Sequence, residues 1–159
     1  MTQSFDPASI PGFPNGYGLG GKPGGLASRF FARLIDGLLV GVISGILGSM
    51  ADSSSRIMVT GLFTGLVMFV YFVAMEVTVG RTLGKMVLGL SVHGPQGTPK
   101  PDLKQSAIRN AFTLLPIIPI VGGLLGVIAM AVIAMTINSS PTKQGKHDEL
   151  AGGTQVVKG

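Results

Sequence analysis

Residues 33–52 read RLIDGLLVGVISGILGSMAD, an apolar run of near membrane-spanning length that holds an acid, Asp36, three residues after Arg33. A carboxylate inside a membrane helix costs a few kcal/mol unless it is partnered, about 2.5–3.5 kcal/mol at the bilayer centre. Arg33 lies one helical turn away and is the partner the spacing offers. An acid retained in such a place marks a binding site or a structural ion pair.

The rest of the chain agrees with lipid as its solvent. Its 159 residues are 46% hydrophobic and only 12% charged, against about 25% charged in an average soluble domain. The mean hydropathy is +0.54 and the pI about 9.9. The basic residues flank apolar runs rather than forming a stripe, so the net charge of +5 reads as a positive-inside signature and not as a nucleic-acid surface. Without cysteine the chain has no disulfide, thiolate metal site or Cys nucleophile.

Residues 1–25 are rich in Gly and Pro and cannot bury enough surface to offset ordering, so they read as a disordered cytoplasmic tail. The alternative for the Phe13–Tyr17 stretch is a docking segment. Residues 26–159 form the membrane domain. Ser28 is the expected N-cap of a first span from Arg29 to about Met50. A signal peptide is its rival, since Ser49-Met50-Ala51 resembles a cleavage site, but Asp36 and the apolar runs downstream favour a retained span. A second span, Ile57–Met75, carries no charge and ends at Glu76, and the short loop Asp52–Arg56 makes the two antiparallel.

Gly80–Gly89 reads as a short interfacial helix bearing Arg81 and Lys85, and Leu90–His93 as a strand. After a Gly/Pro-rich turn, Asp102 caps a helix containing Lys104 and Arg109. Asn110–Thr142 has no charge, and as one straight helix it would be about 50 Å long, too long for a hydrocarbon core of about 30 Å. Pro116, Pro119 and Gly122-Gly123 interrupt it. The fold class is therefore all-α: a small polytopic helical membrane protein with three spans, or two spans plus a re-entrant hairpin, and a possible short cytoplasmic strand pair. Positive charges place the amino terminus and Gly80–Arg109 in the cytoplasm. Lys143, Lys146 and Lys158 favour the same side for the tail, which requires the hairpin; a single third span would put the tail outside.

Gly37, Gly41 and Gly45 repeat at four-residue steps, a small-xxx-small pattern that suits close helix packing, and Gly61 and Gly65 are its expected counterpart. Glu76 is either a solvated helix-end acid or a second carboxylate for a cation. Gly80-Arg81-Thr82-Leu83-Gly84-Lys85-Met86 lacks the spacing and the hydroxyl residue of a phosphate loop, which leaves Arg81 and Lys85 as candidate contacts for lipid phosphates. His93 and His147 have no metal-ligand spacing, and Asp148 is expected to fold back onto an arginine or backbone amides. No metal, no cofactor and no enzymatic machinery are expected.

Three stretches in order carry a family resemblance: Arg29-Phe30-Phe31-Ala32-Arg33-Leu34-Ile35-Asp36; Glu76 with Gly80–Lys85 and Gly89–Val92; and Gly145–Val157, with Arg109-Asn110 between the last two. The chain resembles the RDD family of membrane proteins from about Ala27 to Val157, with Arg33, Asp36 and Asp148 at the family's Arg, Asp and Asp. The extra glycine in Gly152-Gly153 is a departure, and the Gly/Pro-rich leader resembles those of actinobacterial members. The resemblance implies a multi-pass protein of the inner (cytoplasmic) membrane. It also implies a cluster of Arg33, Asp36 and Asp148 at the cytoplasmic interface, and pairing of Gly152–Val157 with Leu90–His93. Transport is suggested for the family, with cation exchange in some members.

Two functions follow as expectations. In the first, the protein transports a small cation or solute: Asp36, with Glu76 and Asp148, binds it, and Arg33 sets the acid's pKa. In the second, it is a non-catalytic scaffold or accessory subunit packing through its glycine faces. Either way its partners are the bilayer and a second copy or another membrane protein, and nucleic acid is not among them.

Overall fold

The computed structural model describes residues 21–50, 56–118 and 120–159, and side chains of 56–60 and Phe63 are outside that description. The Phe13–Tyr17 segment and the loop after Ala51 therefore lie outside the described residues. In chain order the elements are β1 (Lys22–Pro23), α1 (Leu26–Ser49), α2 (Arg56–Thr78), α3 (Leu83–Val87), β2 (Leu90–His93), α4 (Leu103–Asn110), a 3-10 helix (Ala111–Ile117), α5 (Gly122–Ser139), α6 (Lys146–Leu150) and β3 (Gln155–Lys158). Two of these, α1 and α5, are long and apolar enough to cross a membrane, and Thr64–Thr78 of α2 is a shorter apolar helix.

α1 is built inside out. Its buried stripe is Arg29, Ala32, Asp36, Val40, Ser44 and Gly48, while Phe30, Leu34, Leu38, Val42 and Ile46 are exposed. Both series follow three- to four-residue steps, so one helix face carries polar groups inward and the other carries apolar groups outward. An exposed apolar stripe of this length suits a hydrocarbon solvent and not water. The helix starts at Leu26 behind Gly25, and Ser28 donates back to the Gly25 carbonyl at 2.9 Å; the expected Ser28 cap lies inside the first turn instead.

Within this chain the glycine pattern on α1 is not a packing face. A Cβ at Gly41 or Gly45 would meet nothing within 4 Å, and one at Gly37 would only reach Met68 at 3.9 Å. The reason is phase: the inward stripe passes through Asp36, Val40 and Ser44, one residue before each glycine. On α2, Gly65 is a contact site, but its neighbours are Thr113 and Ile117 of the 3-10 helix, and Gly61 faces Pro116 of the same segment. The close approach expected between α1 and α2 belongs to α2 and the 3-10 helix.

The apolar stretch after Asn110 runs away along α2 as the 3-10 helix, which packs on both α2 and α5, and returns as α5. It enters and leaves at the same end of the helices: Arg33 bonds Asn110 at its start, and Arg29 bonds the Lys143 carbonyl after its close. That end is sealed by a three-stranded antiparallel sheet in the order β1-β3-β2. His93 pairs with Gln155, Val92 with Val156, Ser91 with Val157 and Leu90 with Lys158. On the other edge Lys22 and Pro23, the last part of the expected tail, pair with Lys158 and Val157. Leu90, Val92 and Val156 form a small core with Ala32 of α1. Gly152 and Gly153 both have positive φ, +88° and +93°, which L side chains resist, so the extra glycine shapes the turn from α6 into β3.

Candidate functional site

The polar ends of these elements meet beneath the sheet. Asp36 is fully buried and receives three donors: the Tyr71 hydroxyl at 2.7 Å, the Thr82 hydroxyl at 2.6 Å and the Gly84 amide at 2.8 Å. Thr82 is the N-cap of α3, so its hydroxyl links the carboxylate to that helix start. Leu83 closes the arrangement, its amide donating to Tyr71 at 3.0 Å. The donors fit because residue 84 has no side chain. A Cβ there would overlap the Ala32 carbonyl and lie 3.0 Å from the Asp36 carboxyl carbon.

Arg33 is not Asp36's partner. Its guanidinium lies 4.4 Å from the centre of the Phe72 ring and 4.7 Å from that of Phe112, and donates to Asn110 Oδ1 at 3.1 Å. Among the described residues no carboxylate lies within ion-pair distance of it. The physical reason is reach: the long arginine spans to α2 and the α4 end, where two aromatic faces favour a cation, while the short Asp36 stays under α3.

Asp148 is met instead by Arg29, at 2.9 Å, and by Arg109. The Gly145 amide and the Thr154 hydroxyl add further bonds at 3.1 and 3.3 Å. Arg29 also donates to the carbonyls of Gly24 and Lys143, so it joins the β1–α1 turn to the link after α5. Arg29 and Arg109 were the cations missed; the signal for Arg29 was position, seven residues before Asp36 on the same stripe.

Glu76 is neither solvated nor free. Lys85 Nζ lies 2.5 Å from one oxygen, with Arg109 Nε at 3.5 Å from the same atom. Ser106 and Asn110, four apart on α4, both donate to the other at 2.9 and 3.0 Å. Lys85 is therefore 6% exposed and no lipid contact, whereas Arg81 stays exposed. Burial lowers the Lys85 pKa to about 8 against the pull of Glu76. Arg109 bridges Glu76 and Asp148, and Asn110 bridges Glu76 and Arg33. One connected network thus holds Arg29, Arg33, Glu76, Lys85, Arg109 and Asp148, with Asp36 anchored separately at its side.

Arg29, Arg33, Lys85 and Arg109 of this network, with Asp36, line a cavity of about 480 Å³ between α1, α2, the 3-10 helix and α5. Arg29, Arg33, Asp36, Lys85, Arg109 and His147 mark its polar end, and Leu38, Thr64, Pro116 and Gly126 its far end. Among the described residues no group of three His, Asp or Glu is placed to hold a metal ion.

Two outcomes test this account. Asp148→Asn leaves Arg29 without a buried counter-charge and Arg109 with Glu76 alone, a loss of about 3–5 kcal/mol, so folded protein in detergent should fall sharply. Glu149→Gln, which breaks only the exposed pair with Lys146, should change the melting temperature little, by about 0–1 kcal/mol. Acid should also destabilise the fold. Burial holds His147 down, to about 3 from an ordinary 6.5, so as pH falls between these values the unfolded chain gains a proton that the folded one refuses. Burial alone would raise the Asp148 pKa, but Arg109 and Arg29 outweigh it and hold it below 3.8; its contribution is present above that pH and lost further down. Melting temperature should therefore drop from pH 6.5 downward, and His147→Gln should flatten the slope above pH 4 by about 1 kcal/mol per pH unit. An unchanged slope in that variant refutes a neutral buried His147.

No curated protein and no solved structure gives a significant match to the chain. The family model described as "RDD family" matches residues 23–152, which takes in every described helix and the network residues from Arg29 to Asp148. The chain is a member of the RDD family.

Proposed function

We propose that this is a multi-pass protein of the cytoplasmic membrane that serves as a transport component for a small solute, bound in the cavity beneath the sheet. The observation that carries the reading is the cavity itself, apolar along its length and ringed with cations at one end. The three carboxylates already hold cations or several hydrogen-bond donors each, so the geometry favours a negatively charged solute over a cation. The scaffold reading rests on the exposed apolar residues of α1 and α5, which serve lipid contact equally well.

The topology proposed has α1 and α2 as antiparallel spans and the 3-10 helix with α5 as a hairpin. The amino terminus, Gly80–Arg109 and the tail then share the cytoplasmic side. Supporting it are the positive-inside charge pattern and the sheet, which joins strands from all three regions. Because the chain has no cysteine, a single Lys158→Cys reports sidedness. A membrane-impermeant maleimide should label it only after permeabilisation, and labelling in intact cells refutes the hairpin. For transport, proteoliposomes with the full chain should take up labelled hexanesulfonate, which keeps its charge at every pH, above protein-free vesicles. Arg33→Gln should abolish that uptake and Arg81→Gln should not. Uptake of sodium ion without the sulfonate restores the cation reading, and uptake of neither leaves the scaffold reading in its place.

A further inference from the structure

Arg33 is the one member of the network whose charge is unanswered. Four cations, Arg29, Arg33, Lys85 and Arg109, share the cluster with three carboxylates, Asp36, Glu76 and Asp148; all are buried but Arg33, which is partly buried. Three of the cations have carboxylate partners within 4.0 Å. Arg33 makes a single hydrogen bond among the described residues, to Asn110, out of five N–H donors that a guanidinium carries. The two phenyl rings beside it accept no strong hydrogen bond, and it lines the cavity. A partly buried guanidinium with free donors is complementary to one anionic group that presents two oxygens.

The remainder of the cavity is complementary to hydrocarbon. From Leu26 to Leu38 its α1 wall advances about 18 Å at 1.5 Å per residue, close to half of a hydrocarbon core of about 30 Å. Beyond the cationic end its walls are Met68, Pro116, Gly126, Met130, Ile133 and Ala134. Its volume lies within the range of about 300–1,000 Å³ typical of small-molecule sites. Phe30, Leu34 and Leu38 of α1 and Met130 of α5 belong both to its lining and to the exposed apolar surface. The cavity thus opens sideways, toward the bilayer, between α1 and α5.

We infer that the cavity binds a monoanionic phospholipid taken from the surrounding leaflet, with one acyl chain between α1 and α5 and its phosphate on Arg33. The inference rests on the transport reading for its site and names the ligand class of that site, but the site's occupancy is an equilibrium property separable from flux. A phosphodiester supplies the single charge that the cluster lacks and two oxygens for the guanidinium fork. The bilayer supplies it at high local concentration along the lateral opening. The second acyl chain remains outside, against the exposed face of α1.

The test is competitive lipid binding to the delipidated full chain in detergent, read by native mass spectrometry. Phosphatidylglycerol is offered against phosphatidylcholine with the same acyl chains, and glycerol phosphate and palmitate are added in separate arms. Wild type should prefer phosphatidylglycerol about tenfold, the yield of one charge-assisted contact of about 1.5 kcal/mol. Arg33→Gln should remove the preference and Arg33→Lys should keep part of it, the charge remaining without the fork. Gly126→Leu, which fills the apolar end, should weaken both lipids. Melting curves show which variants are folded, and Lys104→Gln, at an exposed lysine of α4 outside the cavity, is the surface-charge control. Equal binding of the two lipids to wild type overturns the inference, as does a preference that survives in folded Arg33→Gln. Glycerol phosphate binding as tightly as the lipid overturns the need for a chain, and palmitate alone binding overturns the phosphodiester. Lipid binding without sulfonate uptake removes the transport reading and leaves this site standing.

Discussion

A fully buried carboxylate needs a counter-charge or several hydrogen-bond donors in a molecule whose outer surface meets hydrocarbon, and that constraint organises the polar end of this one. Asp148 draws α1 and α4 to the α6 turn through Arg29 and Arg109, and Glu76 draws α3 and α4 to the end of α2 through Lys85, Ser106 and Asn110. Asp36 fixes the start of α3 against α1 with hydroxyl and amide donors. Each acid joins elements far apart in sequence, so the pairs define which helix ends meet. Nonspecific packing among Leu, Ile and Val side chains contributes no such choice, since lipid tails offer the same contacts.

The sheet does for the backbone what the ion network does for the side chains. β3 lies between β1 and β2, and its amides and carbonyls are satisfied on both edges. Arg29 passes beneath it, bonding carbonyls before α1 and after α5. The result is a lid of backbone and charge over an apolar cavity, which gives that cavity a polar end and an oily end.

Much of the local structure was legible in the residues. Leu90–His93 is a strand with the expected bounds, and Asp102 caps α4 through a full capping box with Gln105. Pro116 and the residues around it interrupt the apolar stretch before α5. What could not be read was direction. Arg33 and Asp36 are one turn apart, which predicts contact, yet their side chains leave the helix toward different neighbours. Gly37, Gly41 and Gly45 have the right spacing but the wrong phase. Lys85 looked like a surface cation because nothing in its own segment announces that Glu76 lies beside it. Spacing determines which residues share a face; it does not say which face meets which element, and that depends on contacts more than a hundred residues away, such as Arg29 to Asp148.

In chain order α6 and β3 follow every apolar helix. During synthesis Arg29 therefore emerges long before Asp148, its carboxylate partner, and must wait in interfacial water, while Glu76 can already meet Lys85 and Arg109. Insertion into the bilayer and closure of the polar end are thus separate events, and the second cannot finish until translation has passed residue 148. Between the two stages Arg29 has no carboxylate partner, so its clasp on Asp148 is the last part of the polar end to close.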